Sequence, residues 1–158
     1  MLKMEELDSL DFAILNLLQK DNMIPQRDIG DKIGLSAAAV QRRIKRLRDS
    51  GVIQANIAVI NRTKVGQPIT LFVEVTLDNE RIELIDEAKR DFKNAPEVQQ
   101  CYYVTGEADF LLIVIVPTMH EYELLTRRLF FSNRNIRNFK TFVAMDIVKS
   151  GLSVPLNR

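Results

Sequence analysis

The sequence predicts an α+β chain in two parts, a three-helix unit followed by a βαββαβ sandwich, and three observations carry that prediction. A short helical segment, a glycine turn and a serine-capped basic helix occupy residues 26–50. From residue 69 onward, segments with a two-residue apolar period alternate with segments of helical period. Between them, Arg62-Thr63-Lys64-Val65-Gly66-Gln67-Pro68 has no period and holds glycine and proline, which marks a boundary. The expected domains are therefore 1–61, a linker at 62–68, and 69–158.

In the first part, Leu7, Leu10, Ile14, Leu17 and Leu18 repeat at helical spacing. Asp8 or Ser9 suits the N-cap, and Asp11 lies in the first turn, where the helix dipole favours an acid. Pro25 fits a helix start, and Gln26 to Ile33 gives a short second helix. Gly34 can turn left-handed, Leu35 plugs the core, and Ser36 caps a third helix that runs to about Ser50 and stops at Gly51. Ile53, Ala55, Ile57 and Val59 then alternate with Gln54, Asn56 and Ala58, the period of a strand and the expected wing. Helix, tight turn and capped basic helix make a helix-turn-helix.

The third helix buries Val40, Ile44 and Leu47. Gln41, Arg42, Lys45 and Arg46 project away from that stripe, with Arg43 and Arg48 at its flanks. Ala37, Ala38 and Ala39 after Ser36 keep the N-terminal turn slim enough to approach base edges in a major groove. Gln41 and Arg42 are the expected base readers, with Ala38 and Ala39 as apolar neighbours, and Arg43 and Arg46 are expected on phosphates. A solvated helix face is the bland alternative. Five basic residues between 42 and 48 with no acid before Asp49 argue against it, because a merely solvated helix mixes signs.

In the second part, Ile69, Leu71, Val73, Val75 and Leu77 mark a strand, and Leu84, Ile85, Ala88 and Phe92 a helix. Val98 to Val104 and Phe110 to Val116 form a hairpin. Tyr122, Leu125 and Leu129 mark another helix. A last strand runs from about Asn138 to Val148, with Phe139, Thr141, Val143, Met145 and Ile147 on one face. The order is that of a ferredoxin-like sandwich, with both helices on one side of the sheet. Yet Phe110–Val116 is apolar on both faces. That calls for cover on the second side, and a second subunit supplies it more readily than the linker or the tail.

Bulk properties exclude several classes. The 158 residues are 46% hydrophobic and 27% charged, as in an ordinary globular chain. The acidic start Met1–Glu6 lacks the apolar core of a signal peptide, and Phe110–Val116 is too short to span a bilayer. Cys101 is the single cysteine, so no intrachain disulfide forms, and a small buried hydrophobe is its simplest role. A cytoplasmic protein with no membrane partner is expected, nucleoid-associated if the basic helix binds DNA. The net charge of +1 divides into +3 for residues 1–64 and −2 for residues 65–158, which points to an anionic partner for the first part only. His120 is the single histidine and has no ligand-like neighbours, so no metal is expected. No nucleophile–base or phosphate-loop pattern appears, so neither cofactor nor catalysis is expected.

Leu7-Asp8 with Asp11, Ile14-Leu15 and Leu18, then Gly34-Leu35-Ser36, then Arg42-Arg43-Ile44-Lys45-Arg46-Leu47 and Gly51-Val52-Ile53, resemble the Lrp/AsnC family, the feast/famine regulators. So do Val104-Thr105-Gly106-Glu107-Ala108-Asp109-Phe110 between the second and third strands, Thr141-Phe142-Val143-Ala144-Met145 in the last strand, and the tail Leu152 to Leu156. The resemblance covers nearly the whole chain. It implies a regulator of double-stranded DNA, dimeric through its sheets, with dimers assembling into tetramers or octamers. It also implies a free amino acid bound where dimers meet. On that reading Val104, Thr105, Gly106, Glu107, Ala108, Asp109 and Phe110, with Thr141 across the interface, form the effector site. Gly106 would turn backbone amides to a carboxylate and Asp109 would accept from the ammonium. Taken without the resemblance, Gly106 and Asp109 are a plain hairpin turn. The apolar residues among these eight favour leucine or methionine as effector. Gly30 departs from the family's usual alanine, Pro25 from its usual cap, and Ala108 from a larger residue. Two other functions fit the scaffold: a tetrapyrrole-modifying enzyme, and a nucleoid-organising protein without effector control.

Overall fold

The computed structural model describes residues 6–156, so most of the acidic start Met1–Glu6 lies outside the described residues. Two compact units result, one of residues up to Val59 together with the tail from Lys149, the other Ile60–Val148. The tail therefore departs from the expected domain 69–158. It folds back on the first helix, where Gln19 Nε2 donates to Val154 O (2.9 Å) and Val154 N to Gln19 Oε1 (3.0 Å), and Asn16 Nδ2 donates to Leu156 O (3.3 Å). A backbone segment without a sheet partner satisfies its polar groups on side-chain amides instead.

The first unit contains α1 (Ser9–Leu18), α2 (Gln26–Ile33) and α3 (Ala37–Asp49). Asp8 caps α1 in a reciprocal box with Asp11, and Ser36 caps α3 by accepting from the Ala39 amide at 3.2 Å. Gly34 takes φ +74° between α2 and α3. Ile14, Ile29, Val40, Ile44 and Leu47 form the buried core, with Leu35, Val52 and Ile53 packed against it. The expected strand at Ile53–Val59 is not formed: Ile53 lies in a bend, and the residues after it have no regular structure and are exposed. Alternation supplies the pleat, but a strand needs a ladder, and none of the described strands pairs with this segment.

The second unit contains β1 (Ile69–Leu77), α4 (Ile82–Asn94), β2 (Val98–Tyr103), β3 (Phe110–Val116), α5 (Met119–Thr126) with a π-helical extension over Arg127–Phe131, and β4 (Ile136–Val143). The four strands form an antiparallel sheet in the order β2-β3-β1-β4. Leu71, Val73, Val75 and Leu77 of β1 and the even positions Phe110 to Val116 of β3 are buried in one core with Phe92, Leu125 and Phe130. Phe92 meets Phe110 edge-on at 5.1 Å and Phe130 at 6.2 Å. β4 ends at Val143 rather than Val148. The Ala144 amide still reaches Thr70 O (2.9 Å), beyond which β1 has little more to offer, and Met145 and Val148 stand in solvent.

The other sheet face is open. Phe72 is paired in register with Phe142 on one side and Ile113 on the other, and Leu111 with Glu74 and Tyr102. Phe72 is 46% exposed, Leu111 41% and Phe142 52%. The linker seals one corner only, where Arg62 Nη1 donates to the buried Thr70 hydroxyl at 2.7 Å.

Candidate nucleic-acid interface and effector turn

The α3 surface divides into two sectors. Ser36, Ala38, Gln41, Arg42 and Lys45 are exposed, and Ala39 is half-buried. Arg42 has no ion-pair partner among the described residues, and Lys45 pairs along the helix with Asp49 at 2.5 Å. Arg48 is held by the Asn56 side-chain oxygen, 3.2 Å from both Nε and Nη2 once that amide is turned to satisfy both groups.

Arg43 and Arg46, expected on phosphates, turn instead toward α1. Arg43 Nη1 donates to Asp8 Oδ2 (2.7 Å) and Asp11 Oδ1 (2.8 Å), and Arg46 Nη2 donates to Asp11 Oδ2 (2.6 Å). Asp11 is 1% exposed. Burial raises its carboxyl, but hydrogen bonds from Arg46, the Asp8 amide and Arg43 outweigh burial and hold it at about 2. The sequence contains a signal for this: Leu7, Asp11, Ile14 and Leu18 share one helical stripe, and a carboxylate within an apolar stripe must find partners.

Acid should therefore loosen this unit. The folded carboxyl titrates at about 2, against 3.8 for an unperturbed aspartate. Its contribution is complete above the unfolded value and is lost as pH falls through the folded one, amounting to roughly 2 kcal/mol. Amide exchange in α1 and α3, followed from pH 5 toward pH 2, should show wild type losing about that much more protection than Asp11→Asn. Equal losses would remove Asp11 from the account.

The turn after β2 is tightly made. Val104 N donates to Asp109 O and Asp109 N to Val75 O, both at 2.9 Å, and Asp109 Oδ2 accepts from Leu77 N at 2.7 Å. Asp109 thus serves first as the fastening of the turn to β1. Gly106 holds φ +128° with open space around it, Thr105 and Glu107 are exposed, and Val104 and Ala108 are half-buried. Within one chain Phe110 and Thr141 lie apart from this group. Phe110 is fully buried, and Thr141 shares a hydrogen bond with the Tyr122 hydroxyl at 2.5 Å on the helix side of the sheet. Strand parity explains it, since Phe110 continues the buried row of Leu112 and Val114.

The turn borders instead a shallow hollow of about 200 Å³ lined by Glu74, Thr76, Glu107, Ala108, Arg137, Asn138 and Lys140. Both charge signs meet there, with Lys140 Nζ 4.0 Å from Glu74 and Arg137 Nε 3.4 Å from Asp78. Within one chain the lining is polar, where the sequence suggests an apolar one. Sequence reasoning missed these positions: alternation gives Glu74 and Thr76 one face of β1 and Asn138 and Lys140 one face of β4, but their pairing in register brings the two together, and Arg137 joins where that register shifts.

Cys101 is half-buried against the core, and burial pushes its thiol up. His120 is exposed, 4.0 Å from Glu123. Tyr102 lies on the open face, whereas Tyr103 lies over Phe110 with Lys89 Nζ above its ring at 4.9 Å. Among the described residues no helix is long and apolar enough to cross a membrane, and no cluster of metal-binding side chains occurs.

Residues 7–54 match the winged helix-turn-helix DNA-binding family model, and residues 70–154 match the Lrp/AsnC ligand binding domain. An uncharacterized HTH-type transcriptional regulator of Sinorhizobium fredii is 48% identical over 151 residues, 96% of this chain and 89% of that protein. The leucine-responsive regulatory protein of Escherichia coli is 31% identical over 92% of this chain and 88% of its own. The crystal structure of an AsnC family transcriptional regulator from Agrobacterium tumefaciens superposes with a TM-score of 0.89 at 31% identity, covering 95% of this chain and 97% of that one. A Neisseria meningitidis transcriptional regulator, solved as an L-Met complex, shares the fold with a TM-score of 0.90 at 24% identity, covering 96% and 98%. A DNA-binding helix-turn-helix joined to this ligand-binding sandwich, matched along nearly its whole length, makes the chain a member of the Lrp/AsnC family of transcriptional regulators.

Proposed function

We propose that α3 enters the major groove of double-stranded DNA and that the C-terminal sandwich assembles subunits and binds a free amino acid, with no catalysis by the chain. The observation that carries the DNA reading is the exposed sector of α3. Gln41 and Arg42 can reach base edges past the slim Ala38, and Lys45 is placed for a phosphate. Names of the relatives support regulation rather than chemistry.

For the effector, the turn and its hollow offer both signs of charge to a zwitterion: Glu74 and Glu107 toward an ammonium, Arg137 and Lys140 toward a carboxylate. Leucine and methionine remain the first ligands to test, supported by the leucine-responsive relative and the L-Met complex of the structural neighbour. Assembly is proposed to start from a two-fold dimer through the open sheet face and to continue to tetramers or octamers. A ligand seated between subunits then shifts assembly by mass action.

Replacing Arg42 and Lys45 together by alanine should weaken DNA binding and flatten its log–log salt slope by about 0.9 for each phosphate that is no longer neutralised. Titration of promoter DNA at several salt concentrations measures both. Unchanged affinity with an unchanged slope rejects the DNA face. Calorimetry across the amino acids tests the sensing role, and binding by none of them at about 1 mM would end it.

A further inference from the structure

The two arginines that leave the exposed sector of α3 are held by a pair of carboxylates on a different helix. Asp11 is buried and accepts from Arg43, Arg46 and the Asp8 amide, while Asp8 accepts from Arg43 and its side chain is 52% exposed. Among these four side chains two carboxylates match two guanidinium groups. The arginine side chains are not sealed in: Arg43 is 27% exposed and Arg46 41%. Both can swing toward a phosphate without opening the core of Val40, Ile44 and Leu47.

We infer that Asp8 and Asp11 act as a positioning pair that withholds Arg43 and Arg46 from DNA phosphates in the free protein, and so lowers sequence-independent affinity while Gln41, Arg42 and Lys45 make first contact. This rests on the placement of α3 against DNA proposed above. The physical basis is counterion release. Non-specific affinity grows with each cation that reaches a phosphate, whereas a cation already matched by a carboxylate adds little. A carboxylate left near the backbone also repels it. The pair thereby favours a site that offers base contacts over the many that offer only phosphates.

A simple clamp between α1 and α3 makes the opposite forecast. Losing a clamp loosens the recognition helix and weakens binding to every DNA, whereas losing a withholding pair strengthens binding to DNA of arbitrary sequence. Misfolding cannot produce a gain.

The test uses the full chain and a mixed-sequence duplex of about 25 base pairs, titrated by fluorescence anisotropy between about 50 and 200 mM salt. Asp11→Asn removes the buried charge at constant shape. Asp8→Ser removes the exposed charge and keeps an N-cap. Asp11→Asn should bind the mixed duplex about eightfold tighter at 0.1 M salt, with a slope steeper by about 0.9, for each arginine released to a phosphate. Asp8→Ser, which frees one of the two bonds of Arg43, should move the same way by less. Circular dichroism checks the fold, and if Asp11→Asn fails to fold, Asp8→Ser decides alone. Weaker binding or an unchanged slope in the folded variants overturns the inference and leaves the DNA face standing. Wild-type protein that binds no duplex overturns both.

Discussion

Replacing Gly30 by alanine should cost the helix-turn-helix unit about 2 kcal/mol and weaken DNA binding, because the turn after α2 closes here around glycine rather than around the alanine usual in the family. Gly30 is a buried residue of α2, and a Cβ built there would stand 2.3 Å from the carbonyl oxygen of Leu35 and 3.3 Å from its carbon. That oxygen cannot swing aside as a side chain would, because the turn around it is fixed. The Gly34 and Leu35 amides both donate to Gly30 O, at 2.8 and 3.0 Å. Over-packing typically costs about 1–3 kcal/mol, and a backbone obstacle puts this case at the upper end or beyond. Alanine returns about 1 kcal/mol in helix propensity, which does not offset it. For a unit of this size the net loss corresponds to roughly 8–16 °C in Tm. The seat of Ser36, and with it the start of α3, would shift too. Gly151→Ala is the control, since a Cβ there meets nothing within 4 Å. Helical circular dichroism and amide exchange over residues 26–49 report the unit. A Tm equal to or above wild type would mean that the turn gives way easily.

The same residues show what is legible in the sequence and what is not. α2 and α3 are legible because their ends are chemically marked, by Pro25, Gly34, Ser36 and Gly51, within a few residues of the helices they bound. The sheet order follows from the alternation of helix and strand periods. The failures share a cause, which is that local pattern does not report distant partners. Ile53–Val59 has the apolar alternation of a strand, but among the described residues no strand pairs with it. Arg43 and Arg46 look turned to solvent until Asp11, more than 30 residues earlier, comes beside them. Family resemblance groups Phe110 with the turn, though strand parity places its side chain in the helix-side core. The polar hollow at Glu74, Arg137 and Lys140 joins two strands more than 60 residues apart, and only their pairing in register brings it together.

If the proposed dimer forms through the open sheet face, replacing Phe72 by glutamate should leave the fold intact and yield monomers. Phe72 occupies the centre of the open sheet face, in register with Phe142 on β4 and Ile113 on β3, with Leu111 and Tyr102 in the adjacent row. Its side chain contributes nothing to the helix-side core, so the sandwich does not need it. In a two-fold dimer, however, one substitution is made twice. Phe72 is 46% exposed in the single chain, so covering the remainder is worth roughly 1 kcal/mol per protomer. A carboxylate forced into the same contact without a partner costs several kcal/mol more. Together these exceed about 4 kcal/mol, a dissociation constant raised at least about a thousandfold. Light scattering at micromolar concentration reads the change directly. Ile82→Glu, at a 73% exposed position on α4, should leave the assembly as it is. Because a dimer reads two half-sites about one helical turn apart, the monomeric variant should also bind promoter DNA far more weakly while keeping the salt slope of a single α3. An assembly that survives Phe72→Glu with its mass unchanged would show that the open face is covered in some other way than by a second copy.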